Sequence, residues 1–151
     1  TTANVHELVT SRVAGWSVPV TVLLPGSPDK AAWFKRADVA LAASGTVSLE
    51  LAASGTPMVI AYDMAWLSRI VISRMLLVDT VTLVNLVSDT RTVPEFIGAN
   101  CQAGPIAEAV LQVLGDPTAQ NAAMALTMER LGQGGEAPGL RAARAVLDRM
   151  P

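Results

Sequence analysis

Two consecutive segments decide the fold: Ala37-Asp-Val-Ala-Leu-Ala-Ala-Ser-Gly-Thr-Val-Ser-Leu-Glu-Leu-Ala52 and Ser54-Gly-Thr-Pro-Met-Val-Ile-Ala-Tyr62. An apolar run from Val39 to Ala43 breaks at Ser44-Gly45-Thr46. Apolar residues then recur at Val47, Leu49, Leu51 and Ala52, mixed with Ser48 and Glu50, before a second Ser-Gly-Thr and a second apolar run. The pattern predicts strand, tight turn, short helix (Thr46–Ala53), turn, strand (Pro57–Tyr62). The first turn places unpaired backbone N–H groups and the positive end of a helix dipole beside the C-terminal edge of a strand, which is an anion-binding arrangement. Glu50 follows Thr46 by about one helical turn, within reach of the sugar of a nucleotide whose phosphates rest on Ser44 to Thr46.

Outward from this stretch, both apolar runs are continuous rather than alternating, as in strands of a parallel sheet covered by helices on both faces. On the N-terminal side, Ala3 to Gly15 has helical spacing. Val18 to Leu24 is β-rich and runs into the turn Pro25-Gly-Ser-Pro28, and Asp29 caps a short helix through Arg36 with Ala32, Trp33 and Phe34 on its buried side. The order is α-β-α-β-α-β, a doubly wound pattern.

On the C-terminal side, Met64 to Val78 reads as a helix that is apolar nearly all round. It either packs on the sheet with Arg69 and Arg74 at its rim, or touches a membrane surface through Trp66 and those arginines. Thr80 to Val87 is a further strand or extended segment. Thr92 to Ile97 is a short helix whose capping box pairs Thr92 with Glu95. Pro105–Leu114 and Pro117–Leu131 are helices, the second capped by Asp116. Residues 132–139 are a Gly-rich break and 140–151 a closing helix. Residues 1–131 thus form one α/β unit, a Rossmann-like parallel sheet, followed by a hinge and a C-terminal helix.

Composition narrows the function. The chain has 151 residues, 51% apolar and 16% charged, which suits one folded domain with a real core. Mean hydropathy is +0.41, yet no uninterrupted apolar run reaches the roughly 18 residues of a membrane span. A net charge of −2 argues against a general nucleic-acid binder. One cysteine, Cys101, excludes an internal disulfide, and one histidine, His6, excludes the usual zinc sites. Both are read as structural residues. The opening Thr1-Thr-Ala-Asn lacks an initiator Met and a signal-like segment, as expected of a piece cut from a longer protein.

Four segments taken together resemble a known family: Ala42-Ala-Ser-Gly-Thr-Val-Ser-Leu-Glu50, Thr56-Pro-Met-Val-Ile-Ala-Tyr62, Leu83-Val-Asn-Leu-Val87 and Pro94-Glu-Phe96. They are similar, in order and spacing, to the C-terminal half of lipid-A-disaccharide synthase, a bacterial glycosyltransferase of the GT-B architecture. The resemblance implies a donor-nucleotide domain that lacks its first strand. It also implies transfer of 2,3-diacylglucosamine from its UDP derivative to 2,3-diacylglucosamine 1-phosphate (lipid X), with release of UDP and no cofactor. Carried over by position, Ser44, Gly45 and Thr46 face phosphate and Glu50 faces ribose. Asn85 and Leu86 match a loop near the donor, and Tyr62 ends a strand on the same edge. The family's catalytic acid belongs to the absent half, so no catalytic residue is expected here. Two positions depart from the family: Asp63 stands where an Arg is usual, and Val84 where a Pro is usual. The resemblance further implies a peripheral protein at the cytoplasmic face of the inner membrane, and homodimers with exchanged C-terminal segments.

Blander roles remain open for the same residues. Ser44 and Thr46 suit ordinary helix capping, and Asn85 suits a turn. Asp63, by the strand edge, is a weaker candidate base. Two alternatives to the leading function stand beside it: the donor domain of another GT-B transferase or a UDP-sugar epimerase, and a non-catalytic assembly module with exposed apolar helices.

Overall fold

The computed structural model describes residues 2–24, 26–63 and 79–150. Helix α1 spans Ala3–Val13 and α2 Lys30–Arg36; strand β1 is Ala40–Ala42, α3 Val47–Ser54 and β2 Met58–Tyr62. Then come α4, Leu83–Ser88; β3, Glu95–Ile97; a 3-10 turn, Gly98–Asn100; and α5 Ala103–Gly115, α6 Thr118–Arg130 and α7 Pro138–Leu147. The three strands form a parallel sheet in the order β1-β2-β3. In register, Ala42 pairs with Ile60 and Tyr62 with Ile97.

The central strand explains its own composition. Met58, Val59 and Ile60 are all at 0% exposure, and successive side chains of a strand point to opposite faces. Met58 and Ile60 join Leu51, Ala52, Val84, Val93, Ala123 and Met124, a core built by α3, α4 and α6. Val59 joins Ala109 and Val113 of α5 on the other face. With both faces covered, alternation has no place in the sequence of β2, and the doubly wound Rossmann-like reading holds. The same cover was expected of β1, but Leu41 is exposed, because the cluster of α5 against Val59 takes in Val39 and Phe96 and does not reach Leu41. Gln120 of α6 secures the start of β2: its buried amide accepts the Met58 N–H at 2.8 Å and donates to the Met58 carbonyl at 2.9 Å.

Three expected elements came out differently. Val18 to Leu24 is not part of the sheet, and Val18, Val20 and Leu24 are exposed. Strand propensity expresses packing against neighbouring strands more than a backbone preference, so a β-rich composition alone does not form a strand. Residues 83–88 are helix rather than strand, and 95–97 are strand rather than helix. Short apolar runs read equally well either way, and long-range contacts described below decide both. Asp29 precedes α2 without a side-chain cap, and only Phe34 of α2's expected buried side packs on the core.

The C-terminal helices follow expectation to within four residues at their ends. Asp116 accepts the Thr118 N–H at 3.0 Å, and the Thr118 side chain and backbone hold its carboxyl below the ordinary value. Leu131 to Glu136 forms turns, bridged to α7 by Arg141 donating to the Leu131 carbonyl and by an Arg144–Glu136 ion pair. The helix expected over 64–78 lies outside the described residues.

Candidate functional site

The chain leaves β1 at Ala42 and turns sharply at Ser44-Gly45-Thr46 into α3. Gly45 has φ of +140° with open space where a side chain would go, so the backbone conformation, not room, calls for glycine. Ser48, fully buried, closes the turn by donating both its N–H (3.2 Å) and its hydroxyl (2.9 Å) to the Gly45 carbonyl. Among the described residues, no hydrogen bond uses the N–H of Gly45, Thr46 or Val47. Capping does not account for the two hydroxyls either. Thr46 stands at the N-cap without a side-chain bond, and the Ser44 hydroxyl faces the Val81 carbonyl at 3.5 Å, the outer limit of a hydrogen bond. The start of α3 therefore presents open donors at the C-terminal edge of the sheet.

Glu50 lies one turn further along α3, half exposed. Its Oε2 is 2.5 Å from the Lys30 ammonium of α2, which sits 5.3 Å from the centre of the Phe34 ring. Between α2 and α3 runs a groove of about 390 Å³, lined in part by Ser27, Pro28, Lys30, Phe34 and Glu50.

The sheet register brings Tyr62 to the same edge as Ser44. Ala42 pairs with Ile60, so the residues two positions on emerge together, and Tyr62 is exposed. Asn85 differs from its neighbours in the expected set. It is 1% exposed, its Nδ2 donates to Thr80 Oγ1 (3.2 Å) and the Val93 carbonyl (2.9 Å), and its Oδ1 accepts the Val93 N–H (3.0 Å). Both its N–H donors are thus engaged inside the protein. Leu86, the next residue, is exposed.

Glu95 is the residue whose place the sequence did not reveal. Rather than closing a capping box with Thr92, its Oε1 accepts from Thr80 Oγ1 (2.7 Å) and from the backbone N–H groups of Val81 (3.1 Å) and Thr82 (2.6 Å). It fills the donors ahead of α4, and no local signal marks it, since acceptor and donors are 13–15 residues apart. Arg91 grips Asp79 at the start of the same loop through the Nε and Nη2 edge of its guanidinium, and its hydrogen bonds hold the Asp79 carboxyl below its ordinary value. The structure therefore gathers Ser44, Gly45, Thr46 and Tyr62 on one sheet edge, with Glu50 a turn away beside a groove. Asn85 braces the loop that carries Val81. Among the described residues, no group of His, Cys, Asp and Glu is placed to hold a metal ion.

Comparisons with known proteins show the family. The family model described as lipid-A-disaccharide synthetase matches residues 16–145. Lipid-A-disaccharide synthase of Ruegeria pomeroyi is 58% identical over 155 residues, covering 98% of this chain and 39% of that protein. The proteins of the same name from Paramagnetospirillum magneticum and Rhodopseudomonas palustris are each 40% identical over 153 residues. They cover 98% and 99% of this chain, which spans 39% of each of them. With an open helix start, a following glutamate and this match along most of its length, the chain belongs to the lipid-A-disaccharide synthetase family.

Proposed function

We propose that this chain is the donor-nucleotide part of a lipid-A-disaccharide synthase, a glycosyltransferase of lipid A biosynthesis. The observation that carries this reading is the run of N–H groups at Gly45, Thr46 and Val47 that no hydrogen bond among the described residues uses, one turn from a half-exposed carboxylate. Ser44, Gly45 and Thr46 hold the diphosphate of UDP. Glu50 accepts from the ribose hydroxyls, where its charge strengthens each bond. The groove between α2 and α3 receives the base, and Tyr62 and Leu86 form the rim nearest the sugar. Asn85 acts through the loop it braces.

In the reaction, 2,3-diacylglucosamine passes from its UDP derivative to 2,3-diacylglucosamine 1-phosphate. As the sugar–phosphate bond breaks, negative charge grows on the departing UDP. Donors fixed in advance at the start of α3 meet that charge without reorganising. This half holds the leaving group, and the proton-accepting group comes from the other half of the enzyme. The acyl chains imply peripheral contact with the cytoplasmic face of a membrane; no helix of the described residues is long and apolar enough to cross one. Residues 132–139 are the hinge by which two copies exchange C-terminal segments.

The test is a titration of the labelled chain with UDP, followed by amide NMR. Shifts confined to 44–50 and the α2–α3 groove are expected, with weak affinity and no transferase turnover by the chain alone. Unmoved amides at 44–50 would defeat the reading. Broadening of α7, whose Leu140, Val146 and Leu147 are exposed, without any UDP response would instead favour an assembly module.

A further inference from the structure

We propose that Lys30 belongs to the nucleotide site as the counter-charge that positions Glu50 and lets it lie beside a diphosphate; this rests on the UDP reading above. A carboxylate one turn from a bound diphosphate repels it, and a ribose-facing glutamate carries that penalty unless a cation offsets it. Lys30 supplies the cation. Its Nζ contacts Oε2 of Glu50 at 2.5 Å across twenty residues of sequence. Among the described residues no hydrogen bond is made to Oε1, which keeps its lone pairs for a diol.

Three further observations separate this pair from an ordinary surface ion pair. Lys30 and Glu50 side chains are 50% and 48% exposed, so the contact adds little to folding and is open to a ligand. Lys30 is the first residue of α2, where the helix dipole disfavours a cation, so helix stability does not explain its presence. The Phe34 ring beneath the ammonium packs on the core, which anchors the charge to a rigid element at the wall of the groove.

The experiment measures dissociation constants of UDP and of uridine for the full chain, with Lys30→Met, Lys30→Arg, Glu50→Gln and the double variant Lys30→Met/Glu50→Gln. Lys30→Met is expected to weaken UDP roughly fivefold, the order of one solvent-exposed charge near the ligand, and to weaken uridine less. The UDP loss shrinks as salt rises, Lys30→Arg restores binding, and in the Glu50→Gln background the Lys30→Met loss is small. Unchanged UDP binding by Lys30→Met, equal losses for UDP and uridine, or an undiminished loss in the Glu50→Gln background would each overturn the role of Lys30 while leaving the UDP reading intact. No response of the parent chain to UDP at 44–50 would overturn both. Dispersed amide spectra of each variant confirm that it is folded.

Discussion

Two helices begin at the same edge of this sheet, α3 at Val47 and α4 at Leu83, and each has a glutamate assigned to it by the fold. At α4 the glutamate arrives from β3 and fills the backbone donors, so Glu95 serves as a built-in anion. At α3 the glutamate grows from the helix itself, one turn in, and points to Lys30, and among the described residues no hydrogen bond takes up the donors at 45–47. The same carboxylate chemistry closes one helix start as a structural joint and, at the other, forms an ion pair away from the backbone donors, where the proposed diphosphate would bind. The closed joint also serves the open one. Val81, held by Glu95, offers its carbonyl toward the Ser44 hydroxyl.

Substitutions at the two starts break this comparison in opposite ways. The largest effect is expected at the closed one. Glu95→Ala strips the acceptor from Thr80, Val81 and Thr82 in a part-buried site and should destabilise the chain by about 2–4 kcal/mol. A shift of the urea midpoint at unchanged slope measures it. Glu95→Gln, which keeps an acceptor, should lose less. Next comes Gly45→Ala, which forces a side chain onto a φ of +140°. A loss of about 1–3 kcal/mol is expected, together with disappearance of the UDP response at 44–50.

Thr82→Val should go the other way. Among the described residues the buried Thr82 hydroxyl has no hydrogen-bond partner, because Glu95 has taken the capping role, so its replacement by a methyl should stabilise by up to about 1 kcal/mol. The smallest effect on folding belongs to Glu50→Gln, within about 0.5 kcal/mol of the parent, while its UDP affinity falls. If Glu50→Gln unfolded the chain as readily as Glu95→Ala, the distinction between a structural and a ligand-facing glutamate would not stand.

How much could be read without coordinates follows the range of the interactions. The turn at Ser44–Thr46, the helix after it and the buried strand at 58–62 are set by neighbours in sequence: a glycine at a left-handed backbone position, a break in an apolar run, and a second run long enough to be covered on both sides. The segment from Thr80 to Ile97 misled on both its elements. Its apolar runs are short, and the forces that sort helix from strand are the Asn85–Val93 clamp, the Glu95 acceptor and the pairing of Ile60 with Glu95. The groove beside Glu50 was invisible for the same reason, since it exists only once α2 lies against α3.

Residue order alone was enough to mark a parallel α/β sheet with the strand at 58–62 covered on both faces, a glycine turn opening a helix at its edge, and Glu50 one turn beyond. Those features depend on backbone conformation and on burial patterns a few residues long. It took the packed molecule to show which glutamate is turned inward and which stays half exposed beside Lys30. The chemical appetite of a carboxylate is the same at positions 50 and 95. The difference arises from the sheet register, which carries Glu95 to the waiting donors of α4, and from the packing of α2, which sets Lys30 against Glu50.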